Sequence, residues 1–198
     1  MSSSVKEEPV LRSRRCARWS DYWFSLKSTV PDGIPTRAMF DPSRIVPLLP
    51  YILIHDLSVP DRSTLRLVGT GIVQRLGVDP TGSNYLDLVE PGARANSHHH
   101  LLTTARHPCG MRLISEVRYR NGKITVAEAL GFPLYNARTD SVMMMFLDDL
   151  VEQPQFHYAP PDQPFEVLRG YNREYIDVGF GVPNLVDMPE DIELTSQN

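Results

Sequence analysis

The sequence predicts an α+β fold in which an antiparallel sheet of about five strands surrounds a helical insert, with an N-terminal helix in front and an irregular C-terminal tail behind. Three observations carry this expectation. Two apolar, β-branched runs, YILIHDL (51–57) and TLRLVGT (64–70), flank a turn-forming VPDRS and read as a buried hairpin. Residues 71–106 then break into short helical pieces separated by Gly and Pro. Beyond them, residues 109–119 alternate with period two: Cys109, Met111, Leu113, Ser115, Val117 and Tyr119 share one face, and Arg112, Ile114, Glu116 and Arg118 the other.

Taken in order, residues 1–12 are polar and are expected to be disordered. Residues 13–50 form a helix and an approach to the sheet. From about 13 to 28, Cys16, Trp19, Trp23 and Leu26 recur at three- and four-residue steps, while Arg14, Arg15, Arg18 and Asp21 face away. A stripe that wide must be covered. Either the helix packs on its own domain, or Trp19, Trp23 and Leu26 make a dimer or partner contact. PDGIP stops the helix, and in MFDPSRIVPLLP Asp41 can cap a short turn.

Residues 51–150 carry the core. After the first hairpin, GIVQRLG and NYLDLVEPG are short helices, and a longer helix spans about 92–106 until HPCG ends it. Asn121-Gly122 is a hairpin signal joining the third strand to a fourth at 123–134, and YNARTD leads to a fifth at 141–150. From Val151 the composition turns acidic and rich in proline. FEVLRGYNREYIDVGFG has enough apolar residues to dock, whereas DMPEDIELTSQN does not and is expected to be mobile.

Bulk properties narrow the function classes. With 198 residues, 41% hydrophobic and 22% charged, the chain can bury a core as one domain with extensions. A net charge of −4 gives no reason to expect a nucleic-acid partner. The two cysteines, Cys16 and Cys109, lie far apart in no metal-ligand spacing, which suits a reduced cytoplasmic protein. No run reaches the ~20 apolar residues of a membrane span, and MSSSVKEEPV is unlike a signal peptide.

The stretch VGTGIVQRLGVDPTGSNYLDLVEPGARANSHHHLLTTARHPCG, set between two strands and three, resembles a PAS domain. YWFSLKS, IPTRAMFDPSRIVPLLPYILI, LRLVGTGIV and GVDPTG together resemble a family of small stand-alone bacterial PAS proteins over roughly residues 19–150. The resemblance implies sensing and regulated contact rather than catalysis, with a small-molecule cavity between the long helix and the sheet. No P-loop, kinase or cyclase signature accompanies it. Output is therefore expected on a separate signalling protein or through a homodimer, with a small hydrophobic ligand in the cavity or none.

The triplet His98-His99-His100 sits on the long helix. Consecutive helical residues point about 100° apart, so three adjacent imidazoles cannot converge on one ion, and no i, i+4 His pair is present. No metal site is expected. His98, three and four residues before Leu101 and Leu102, reads as the inward member, with His99 and His100 toward solvent. In haem-binding PAS members a histidine on this helix ligates iron. The resemblance thus implies His98 as a cavity residue or, alternatively, a haem ligand, beside the plain reading of a core histidine. The cavity set expected is His98, Leu101, Leu102, Met111, Leu113, Met143 and Met145. The methionines serve equally as core filling.

Neither cysteine lies in the motif of a light-sensing flavin domain, and Cys109 reads as a small buried hydrophobe. Glu128 interrupts the apolar alternation of Ile124, Val126, Leu130 and Phe132. Buried, it needs Arg112 or Arg118 as a partner; in the opposite register, which is the one expected, it is a surface residue. No nucleophile–base or acid–base pair is visible, which leaves an enzyme on this scaffold as the weakest alternative.

Overall fold

The computed structural model describes residues 11–151 and 165–184. Four α-helices are present among them: α1 (Arg14–Lys27), α2 (Thr70–Leu76), α3 (Tyr85–Leu88) and α4 (Arg94–Arg106). Six strands, β1 (Ile52–Asp56), β2 (Thr64–Val68), β3 (Gly110–Tyr119), β4 (Ile124–Asn136), β5 (Ser141–Leu150) and β6 (Phe165–Ile176), form one antiparallel sheet in the order β2-β1-β5-β4-β3-β6. The α+β class and the β-β, helices, β-β-β order are those read from the sequence. The disorder expected for residues 1–10 and the mobility expected for DMPEDIELTSQN fall outside the described residues, as do 152–164.

The sixth strand is the main difference. β6 pairs with β3 from Gly110↔Ile176 to Tyr119↔Phe165, so part of the tail completes the sheet rather than merely docking. Its alternation is broken where the register shifts opposite Arg112–Ile114, and Asn172 there takes a φ of 47°. A bulge of this kind reverses the side-chain parity along a strand, which is why the segment carries no clean period of two.

The sheet is the middle of three layers. On one face lie α1 and a Pro-bearing 3₁₀ segment, Pro42–Tyr51, capped by Asp41 as expected. Ser13 caps α1, its hydroxyl accepting from the Arg15 and Cys16 amides. The stripe Cys16, Trp19, Trp23 and Leu26 faces inward onto Leu130, Phe132, Leu134, Met143, Met145 and Leu147. Both indoles are fully buried: Trp19 donates to the Leu130 carbonyl and Trp23 to the Pro133 carbonyl, each at 3.1 Å. Trp23 also stacks on Phe132 at 4.7 Å between centroids. This corrects the contact reading of Trp19, Trp23 and Leu26. These side chains are consumed within the chain and are not available to a partner, because an indole without its carbonyl and its apolar neighbours would be a costly exposed surface.

The same layer corrects the placement of Glu128. It is 0% exposed. Arg112 donates to it at 2.7 Å, and the main-chain amides of Arg12 and Ser13 donate at 3.0 Å and 2.8 Å. The register therefore puts Glu128 on the α1 side of the sheet, where charge-assisted bonds replace its water. Arg12, expected to be disordered, is held by that contact.

On the opposite face, α2, α3 and α4 lie over Leu53, Met111, Leu113, Val117, Met144 and Phe146. Gly131 allows the close packing there: a Cβ would meet the Phe146 ring at 2.3 Å.

Candidate functional site

Between those helices and the sheet lie two adjoining cavities of about 60 Å³ each. Leu53, Tyr85, Ser115 and Asp148 line both, so they are two lobes of one space. The first lobe is walled by Leu101 of α4, Met111 and Leu113 of β3, Ala129 of β4 and Phe146 of β5. The second is walled by Ile72, Arg75 and Leu76 of α2, Val117 of β3 and Leu168 of β6. Strand parity explains the wall. Met111, Leu113, Ser115 and Val117 are alternate residues of β3, and Phe146 and Asp148 are alternate residues of β5.

Most of the polar groups have a defined partner. His55 Nδ1 and the Ser63 hydroxyl share a hydrogen bond of 2.7 Å, and the imidazole stands edge-on to Tyr85 and Phe146. Complete burial pushes its pKa down to about 3, so it is neutral in the fold. Asp148 accepts from Arg75 at 2.5 Å and from the Ser115 hydroxyl at 3.4 Å. Arg173 of β6 reaches across to the Ser97 hydroxyl of α4 at 3.3 Å, and burial lowers its pKa. Burial likewise raises that of Tyr85. The arrangement suits a small, mostly apolar guest with one hydrogen-bonding group. The hydroxyl beside His55, that of Ser63, is itself fully buried.

Of the residues expected at the cavity, Leu101, Met111 and Leu113 line it. His98, Leu102, Met143 and Met145 do not. Met143 and Met145 lie on the α1 side, and Met144 takes the helical side. On α4 the buried positions are Ser97, His100, Leu101 and Thr104, an i, i+3, i+4, i+7 stripe. His100, not His98, is therefore the inward histidine. Its Nδ1 bonds the Tyr175 hydroxyl, and its ring stacks on that of Tyr175. His98 is half-buried and His99 exposed. Two of the stripe's four members are hydroxyl residues, so an apolar-only periodicity rotates the inward face toward Leu102. The residues missed, His55, Tyr85, Asp148 and Arg173, did leave one signal: His55 and Asp148 are polar interruptions within apolar strands.

A haem held by His98 does not fit these residues. The imidazole is outside both lobes, and either lobe is far smaller than a porphyrin. Nor do they supply a cavity thiol for flavin adduct chemistry. Cys16 lies on the α1 side, and Cys109 is fully buried away from both lobes, with burial pushing its thiol up to about 12. Among the described residues no group of three or more His, Cys, Asp or Glu side chains could hold a metal ion, and no helix is long and apolar enough to cross a membrane.

The family profile described as PAS domain matches residues 11–146. No curated protein matches the chain. The chain is similar to a solved structure described as "Flavin Analogue Sheds Light on Light-Oxygen-Voltage Domain Mechanism", with a TM-score of 0.43 and 15% identity, over 56% of this chain and 84% of that one. The profile match runs from the residues before α1 into β5, and the chain belongs to the PAS domain family, a family of sensory and signalling modules.

Proposed function

We propose that this chain is a sensory regulator that binds a small, mostly apolar molecule in the two-lobed cavity and signals by protein–protein contact, without catalysis of its own. The guest is at most about the size of phenol and draws on both lobes: an apolar body against Leu101, Leu113 and Phe146, and one hydroxyl or amine toward Asp148 and Ser115, which line both. A reduced cytoplasmic setting suits its two buried free thiols. The contact is with a separate signalling protein or a second copy of the chain, made by a surface other than the Trp19 and Trp23 indoles.

One observation carries the reading. The cavity wall and the α1 layer are joined through consecutive residues of β5, Asp148 and Asp149. A guest that disturbs the Asp148–Arg75 pair therefore acts on the strand that also holds the start of α1. Coupling of this type needs a guest that prefers one of two arrangements.

Native mass spectrometry of the purified chain, compared with its mass after acid denaturation, tests the binding half. The expected result is a folded species carrying a small organic guest, lost when Ala129→Leu narrows the first lobe. Equal masses in both conditions, together with no saturable uptake of added phenol, would contradict it.

A further inference from the structure

Away from the cavity, at the β1–β2 end of the sheet, a second pocket of about 320 Å³ opens at the surface. Three arginines from three separate segments line it: Arg37 in the 3₁₀ turn Arg37–Met39, Arg66 on β2, and Arg138 in the turn between β4 and β5. Its floor is apolar, made by Ile54, Leu67 and Met143, and Asn136 stands at its wall. Leu67 is 43% exposed, an unusual place for a leucine unless something covers it.

The charges are only partly compensated. Asp56 pairs with Arg66 at 3.4 Å, while Asp140, in the same turn as Arg138, is engaged by the Tyr135 hydroxyl. Among the described residues neither Arg37 nor Arg138 has an acidic partner within ion-pair distance. A guanidinium does not deprotonate, so the three, set against Asp56 and Asp140, leave a net positive charge of about +1 around one pocket. Like charges gathered in this way, in a chain of net charge −4, repel one another unless an anion sits among them.

We propose that this pocket binds a small organic phosphate monoester, its phosphate among Arg37, Arg66 and Arg138 and its apolar body on Leu67 and Met143. Two guanidiniums without an acidic partner select the class: a phosphate monoester carries about −1.5 to −2 at neutral pH and can engage both, whereas a carboxylate carries only one charge. Planar guanidiniums give paired N–H donors to two phosphate oxygens at once. The site stands independently of the cavity reading.

Phenyl phosphate is the probe, followed by the amide resonances of Leu67, Asn136 and Arg138. Saturable shifts at these three positions are expected, with inorganic phosphate and phenyl sulfate each at least about tenfold weaker because one lacks the apolar body and the other the second charge. Arg37→Gln and Arg138→Gln should each weaken phenyl phosphate by about tenfold and leave thermal unfolding unchanged, both side chains being exposed. Shifts that do not saturate, or equal affinity in the double variant, would overturn the proposal. A phosphotyrosine peptide binding tenfold more tightly than phenyl phosphate would overturn it in favour of a phosphorylated partner.

Discussion

Asp148 and Asp149 are neighbours on β5 and hold opposite faces of the sheet. Asp148 takes the Arg75 guanidinium of α2 at 2.5 Å on the cavity side. Asp149 takes the Ser13 hydroxyl at 2.6 Å and Arg15 at 2.7 Å on the α1 side. Strand geometry makes this inevitable, since successive side chains point to opposite faces. The consequence is that a short, rigid piece of β5 links the N-terminus of α1 to the cavity-lining helix α2.

Asp148→Asn should be strongly destabilising. Arg75 is buried and would keep its charge without a carboxylate, a change that costs about 3–5 kcal/mol when one partner of a buried pair is removed. Urea unfolding checks it. Arg75→Met combined with Asp148→Leu should recover much of the loss, because neither charge is then stranded.

Glu128→Gln should release the start of α1 without unfolding the sheet. The side chain accepts four bonds from three donors and so ties Arg12, Ser13 and Arg112 together. Its charge is what Arg112 balances, although Glu174 at 2.8 Å shares that task. A loss of about 2–3 kcal/mol is expected, with faster amide exchange at residues 13–17 than at β4. Uniform exchange across both would show that Glu128 does not anchor the helix.

Trp23→Ala should cost about 3–5 kcal/mol, since it deletes a fully buried indole, its stacking on Phe132 and its bond to Pro133. Near-UV circular dichroism and denaturant midpoints report this directly. A stable, well-folded variant altered only in oligomer size would restore the contact role that the structure denies.

Acid should weaken the fold partly through His55. The imidazole is neutral in the native state down to about pH 3, while the unfolded chain takes up a proton near pH 6.5. The unfolded state thus binds more protons between those values, and stability falls as pH drops through that window. By pH 5 the loss from this group is about 2 kcal/mol. His55→Gln, which retains a hydrogen-bonding group for Ser63, should flatten the pH dependence of the denaturation midpoint between pH 6.5 and pH 4.

Much of this architecture is legible in the residues. The alternation of β3 and the Asn121-Gly122 turn placed the meander, and β5 runs over Ser141–Leu150, the span its apolar run indicates. What escaped did so where polar side chains occupy interior positions. Ser97 and Thr104 are buried on α4, so counting only apolar residues turned the helix and exchanged His98 for His100. Glu128 is buried because amides from before α1 reach it, and nothing local to β4 announces partners more than a hundred positions away. β6 was obscured by its bulge at Asn172. The cavity's polar members are spread over β1, α3, β5 and β6, so no spacing within one segment could have assembled them.

Occupancy of the cavity is expected to be felt on the α1 side of the sheet. Trp19 and Trp23 lie wholly on that side, and none of the cavity lining includes them. Their emission during a phenol titration is therefore the most direct test. A saturable change in indole emission in the unaltered chain, abolished by Ala129→Leu, is the result predicted. Phenol uptake detected by mass with no change in either tryptophan would contradict the coupling.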